Sequence, residues 1–266
     1  MNVFSIDALE NRHVIVTGAS GGIGSETAKA VVKMGGKVTI TARDEKKLEL
    51  LKQEIVEYTP AENVYVHTAD LTSEEEQKNL VKKAMDKLGS VYALVNCAGI
   101  SGGGIIDETS KEELEFIMDL NYTSAVMLTK LVYQSMKQQQ RGVIVNVSSL
   151  SGLRGTYGNT AYTGSKFALI GFTHSFALEA IENGVRVNAV CPGYVNTPMG
   201  IKAIKKRAQR NGISFEDQLK RIEDQYPSGK LIQPEEVANT IAYLLTDAAP
   251  NIIGESVKIS GGSVMR

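Results

Sequence analysis

Tyr162 and Lys166, four residues apart in the run Tyr-Thr-Gly-Ser-Lys, are the pair in this chain best suited to moving a proton. At that spacing in a helix both side chains lie on one face. A free phenol ionises near pH ~10 and trades protons poorly in neutral water. An ammonium beside it favours the phenolate and brings it toward general acid–base work. Taken alone, the pair is a very weak signal and reads more readily as two exposed helix residues. Ser149, thirteen positions before Tyr162, shifts the balance. It closes an apolar run, and open α/β sheets bind ligands beyond the carboxyl ends of their strands. Its hydroxyl would point into that crevice and donate a hydrogen bond to a substrate oxygen.

A second group of residues could hold a phosphate. Thr17-Gly18-Ala19-Ser20-Gly21-Gly22-Ile23-Gly24 joins an apolar run to a helical segment. Glycines there let the backbone turn tightly and approach a pyrophosphate, whose charge meets the free N–H groups and positive dipole end of the helix. About twenty residues on, many such folds place an acid for the adenosine ribose. This chain has Ala42-Arg43 there, followed by Asp44. An arginine can pair with a 2′-phosphate, so the sequence favours NADP(H) over NAD(H); stacking on the adenine or facing solvent are the other fates of Arg43.

The elements that must position these groups are legible as alternation. Short β-branched runs at His13–Thr17, Lys37–Thr41, Asn63–His67, Val91–Asn96, Gly142–Ser148, Val185–Cys191 and Ser256–Ser260 are separated by helical segments. These are Ser25–Met34, Asp44–Tyr58, Ser73–Leu88, Lys111–Gln138, Tyr162–Glu182 and Pro234–Asp247, with Ser73 and Glu76 forming a capping box. Near-continuous apolar strands joined by helices predict an α/β fold, a doubly wound parallel sheet of Rossmann type with about seven strands and helices on both faces. Residues 1–266 read as a single dinucleotide-binding and catalytic domain. The segment at about 197–232 is long, irregular and charged, and reads as a substrate lid.

With these motifs in order, the chain resembles the short-chain dehydrogenase/reductase family, in its compact single-domain branch, over essentially its whole length. The resemblance rests on Thr17–Gly24, Asp70-Leu71, Asn96-Cys97-Ala98-Gly99, Asn121, Ser149, Tyr162 with Lys166, and Pro192-Gly193 running to Thr197. It implies that Tyr162 exchanges the proton with the carbonyl or alcohol oxygen and that Lys166 also holds the nicotinamide ribose. It further implies that Ser149 orients the substrate oxygen and Asn121 holds a proton-relaying water. Gly18, Ser20, Gly22, Ile23, Gly24 and Arg43 would meet the phosphate end of the cofactor, and Asp70 and Leu71 would border the adenine. Asn96, Ala98 and Gly99 would shape the cofactor floor, while Pro192, Gly193, Val195 and Thr197 would cradle the nicotinamide. Cys97 stands where the family often has a second Asn. Gly21 stands where firm NADP users often carry a base. The glycine spacing also fits a longer, epimerase-like branch, but only about 70 residues follow Pro192, too few for its substrate domain.

Composition limits the alternatives. A net charge of -1 argues against nucleic acid as the main partner. No run approaches the roughly 18 to 20 apolar residues of a spanning helix, and the first residues do not read as a signal peptide, so a cytoplasmic protein with no membrane partner is expected. Cys97 and Cys191 lack metal-ligand spacing, and His13, His67 and His174 read as structural, so no metal site is expected. Lys202, Lys205, Lys206, Arg207 and Arg210 read either as the solvated face of a helix that turns Ile201, Ile204 and Ala208 inward, or as an attraction for an acidic substrate. Leu153, Tyr157, Tyr194 and Met199 suit a bulky, partly apolar ketone. The expected reaction is hydride transfer between nicotinamide and a ketone or secondary alcohol. A hydroxysteroid is the first reading of the substrate, and a 3-oxoacyl thioester or polyketide the alternative. A non-catalytic dinucleotide sensor is the alternative of another class, disfavoured because Asn121, Ser149, Tyr162 and Lys166 are all present. The resemblance implies a homotetramer, with Lys111–Gln138 and Tyr162–Glu182 pairing across a two-fold axis through Ala168, Gly171, Phe172 and Phe176.

Overall fold

In a computed structural model, which describes residues 5–265, the seven apolar runs form seven parallel strands. They are β1 (His13–Thr17), β2 (Lys37–Ala42), β3 (Val64–Thr68), β4 (Val91–Asn96), β5 (Gly142–Val147), β6 (Val185–Pro192) and β7 (Ser256–Ile259). The order across the sheet is β3-β2-β1-β4-β5-β6-β7. Every residue of β1, β4, β5 and β6 is buried, as a sheet covered on both faces requires. The chain winds outward from β1 to β3, then returns to lay β4 against the other side of β1. The switch point therefore lies between β1 and β4. There the Thr17 hydroxyl accepts the N–H groups of Cys97 and Ala98, at 3.0 Å each, stitching the glycine turn to the loop after β4.

Helices α1 (Gly22–Lys33) and α2 (Glu45–Ile55) pack on one face through Val31, Val32, Leu48 and Ile55. Helix α3 (Glu74–Leu88) covers the other through Leu80 and Ala84. At its start Ser73 accepts the Glu76 N–H as expected, but the Glu76 carboxylate turns away to the Asp70 N–H at 2.7 Å, so only half the capping box forms.

The single helix expected at Lys111–Gln138 is two helices. Helix α4 (Lys111–Met118) passes through a π turn at Asp119–Thr123 into α5 (Ser124–Gln139). The turn inserts an extra residue that apolar periodicity does not reveal, a feature frequent at functional sites. It buries Asn121, and the Ser124 hydroxyl caps the Leu120 carbonyl at 2.7 Å. Helix α6 (Thr160–Ala180) begins two residues before Tyr162.

The segment expected to be irregular also folds. Thr197 caps α7 (Pro198–Asn211), and Ser214 caps α8 (Phe215–Asp224). Ile204, Ala208 and Ile222 face inward, and α9 (Pro234–Leu245) then packs beside α1. No helix among the described residues is long and apolar enough to cross a membrane.

Candidate active site

The carboxyl ends of β1 to β6 all open onto one cavity of about 890 Å³. Its wall takes in Gly18 after β1, Arg43 after β2, Asp70 after β3, Ala98 after β4, Ser149 after β5 and Gly193 after β6. Convergence at a topological switch point is the geometry of ligand binding in doubly wound sheets.

The glycine turn forms one end. Gly18 has φ of +63°, and a Cβ there would come within 2.8 Å of the Ala98 backbone. A Cβ on Gly24 would lie 2.4 Å from the Gly18 carbonyl oxygen. Neither position tolerates a side chain. Helix α1 starts without a side-chain cap, so its first N–H groups are left to face the cavity that Ser20, Gly22 and Ile23 line. This is the environment a pyrophosphate needs, and it fits a dinucleotide.

Acids near this end are already engaged. Asp44 caps α2 through the Lys47 N–H at 3.1 Å, and Asp70 accepts both the N–H and the hydroxyl of Thr72. Both carboxyls are held below the usual range, chiefly by those backbone hydrogen bonds. Arg43 lines the cavity with no ion pair among the described residues, and Lys47, also in the wall, pairs with Asp44 at 3.4 Å.

The other end gathers Ser149, Tyr162 and Lys166. Lys166 is buried and donates to the Val147 carbonyl at 2.9 Å, with its nitrogen 5.7 Å from the centre of the Tyr162 ring. Ser149 accepts the Ser151 N–H at 3.1 Å. Burial pushes the Tyr162 phenol above its ordinary range, and the hydrogen bond with Ser149 opposes this. Burial also lowers Lys166 to about 8. The sequence reading expected the lysine to depress the phenol. In the protein alone desolvation dominates both groups, and the ammonium is turned to a backbone carbonyl.

Two expected residues sit behind the wall instead of on it. Asn96 donates to Thr129 and Asn146 at 2.9 Å each, inside the core beneath the floor. Asn121 accepts the Ile100 N–H at 2.8 Å and donates to the Ile100 carbonyl and the Ser165 hydroxyl at 3.0 Å. Its amide thus ties the loop after β4 to α6. The remaining expected cofactor residues, namely Leu71, Gly99, Pro192, Val195 and Thr197, line the cavity. Of the four groups assigned to the mouth, Tyr194 and Met199 line it. Leu153 packs instead on Ile170, Ala189 and Cys191, and Tyr157 lies exposed under Arg210.

Residues not singled out from the sequence also reach the cavity, from the segment after β6 and from the loop after β5. Tyr226 accepts the Tyr194 N–H at 2.8 Å, holding the loop after β6 across 32 positions. Arg154 and Gln225 also reach the cavity. The cap signals Thr197-Pro198 and Ser214 with Asp217 were available to predict α7 and α8; nothing local pointed to Tyr226.

This fold and site define a class. The family model described as short chain dehydrogenase matches residues 12–208, and the chain belongs to that family. It is an oxidoreductase of CH–OH and ketone groups that uses a nicotinamide dinucleotide. It is similar to the D-beta-hydroxybutyrate dehydrogenase of Cupriavidus necator, 34% identical over 96% of this chain and 99% of the relative. The 3-oxoacyl-[acyl-carrier-protein] reductase of Vibrio cholerae is 35% identical over 97% and 99%. Among solved structures, a variant of actinorhodin polyketide ketoreductase with NADPH superposes with a TM-score of 0.91 at 34% identity, covering 95% of this chain and 97% of that one. These relatives correct the first substrate reading: they favour the oxoacyl alternative over a hydroxysteroid.

Proposed function

We propose that this protein reduces the ketone of a 3-oxoacyl thioester with NADPH, with Tyr162 as proton donor. The observation that carries the reading is the opening of Tyr162 and Ser149 onto the same cavity as the glycine turn. The names of the oxoacyl relatives support the substrate class. Arg43, which lines the cavity with no ion pair among the described residues, supports a 2′-phosphate and hence NADP(H).

The bound dinucleotide supplies the hydride that goes to the carbonyl carbon. Ser149 donates a hydrogen bond to the ketone oxygen and fixes it beside the phenol. Tyr162 gives that oxygen its proton as negative charge develops there, and burial keeps the phenol protonated and ready at neutral pH. Lys166 places its ammonium below the ring, where it steadies the phenolate left behind. Asn121 is a positioning residue, since it acts by holding Ile100 and α6 in register. Helices α7 and α8 form the lid of this one catalytic unit. The exposed apolar groups Phe167 and Leu178 on α6, with the Phe172–Phe176 stack beside them, support pairing with further copies of the chain.

The test is nicotinamide absorbance with NADPH and NADH across 3-oxoacyl thioesters, free 3-oxo acids, ketosteroids and cyclic ketones. Highest kcat/KM on a 3-oxoacyl thioester with NADPH is expected. Turnover confined to ketosteroids, or to NADH, contradicts the reading.

A further inference from the structure

Past Tyr162 the cavity runs between α7 and the loop after β5, and one arginine faces it from each wall: Arg207 from the helix and Arg154 from the loop. Neither takes part in an ion pair among the described residues, where every other ion pair of the region lies elsewhere on α8 or Lys230. Three other bases of the lid run are engaged. Lys206 donates to the Gly103 carbonyl, Lys205 lies over the Phe215 ring, and Arg210 lies 5.1 Å over the Tyr157 ring while donating toward the Tyr157 and Gly158 carbonyls.

Both arginines line the same cavity, and Gln225 and Tyr226 are also in its wall. Among the described residues, the only carboxylates lining the cavity, Asp44 and Asp70, belong to the glycine-turn end. Two cations thus face a partly enclosed space with no acid to neutralise them. Such a space concentrates anions, and guanidinium groups bind the oxygens of carboxylate or phosphate in pairs.

We propose that Arg154 and Arg207 together hold an anionic group that the substrate carries beyond its ketone, and so set a preference for acidic 3-oxo substrates over neutral ketones. The proposal rests on reading the cavity as the site of ketone reduction. The shared chemistry is a cluster of anionic oxygens, either the phosphates of a thioester carrier or the carboxylate of a free 3-oxo acid.

The experiment compares the wild type with the double variant Arg154→Gln, Arg207→Gln at saturating NADPH. The substrates are acetoacetyl-CoA, acetoacetate and the neutral N-acetylcysteamine thioester of acetoacetate. On the favoured charged substrate the variant is expected to lose about tenfold or more in kcat/KM, mostly through KM, and its charged-to-neutral ratio should fall toward one. Loss on acetoacetyl-CoA identifies phosphate, and loss on acetoacetate identifies carboxylate. Added salt should erode the wild-type preference in the same direction. Equal losses on all three substrates, or an unchanged ratio, overturn the proposal. If no 3-oxoacyl compound is turned over, it is the proposed function that fails. The arginines are then read through CoA and malonate as inhibitors of whichever neutral ketone the wild type reduces. Competition with that ketone in the wild type that disappears in the variant supports the pair; no competition in the wild type overturns it.

Discussion

At one end of the cavity the wall is a continuous stretch, Gly18 to Gly24, working through its backbone; at the other it is assembled from Ser149, Tyr162, Arg207 and Tyr226, which come from four separate segments and work through side chains. The first end depends on room. Gly18 and Gly24 matter because a Cβ would strike Ala98 or the Gly18 carbonyl. The second depends on burial and on register between distant segments, as in the 32-position reach from Tyr226 to Tyr194. A backbone site is thus written locally and survives changes elsewhere, whereas a side-chain site inherits every shift of the helices that carry it.

Substitutions at the two ends should therefore fail differently. The largest effect is expected for Gly24→Val. Its branched side chain has no space beside the Gly18 carbonyl, so dinucleotide binding, followed by fluorescence titration, should be lost while the rest of the sheet keeps its circular dichroism. Near wild-type affinity would show that the turn is not the phosphate cradle. Arg43→Asp should come next. Removing one charge-assisted contact and adding repulsion should move the NADPH/NADH ratio of kcat/KM by about ten- to a hundredfold toward NADH. An unmoved ratio would leave the glycine-turn end without its specificity.

The smallest effect lies outside both ends. His13 is buried between the Gly89 carbonyl and the Thr39 hydroxyl, at 2.8 Å from each, and burial lowers its pKa from 6.5 to about 4. The folded protein therefore binds its proton less readily than the unfolded chain. Stability is full above pH ~6.5 and falls as pH drops toward 4, by about 2 kcal/mol at pH 5. Denaturant melts of the wild type and His13→Gln at pH 7 and 5 should show that slope flattened in the variant. Parallel slopes would remove His13 as its source.

The same contrast explains what was legible before the structure. The strands and the glycine turn are local patterns of β-branched runs and small residues, and they appear where expected. The π turn at Asp119–Thr123 was invisible because one inserted residue does not disturb the apolar pattern of a long helix, yet it sets where Asn121 points. Asn96 was placed in the cofactor floor, but strand alternation could not tell the cavity side from the Thr129 side. The segment at 197–232 read as irregular overall, although a helix turning Ile204 and Ala208 inward was one reading of its basic run; the second helix, which buries Ile222, was not read. The steroid reading found no support among the relatives, which favour the oxoacyl alternative, since apolar residues near a mouth do not name a ligand.

The most direct test of the side-chain end is Tyr162→Phe, which removes the titrating hydroxyl and little else. NADPH affinity should stay within about twofold of wild type, while kcat for ketone reduction should fall about a thousandfold. A variant that binds NADPH normally and still reduces the ketone at nearly the wild-type rate would contradict Tyr162 as the proton donor.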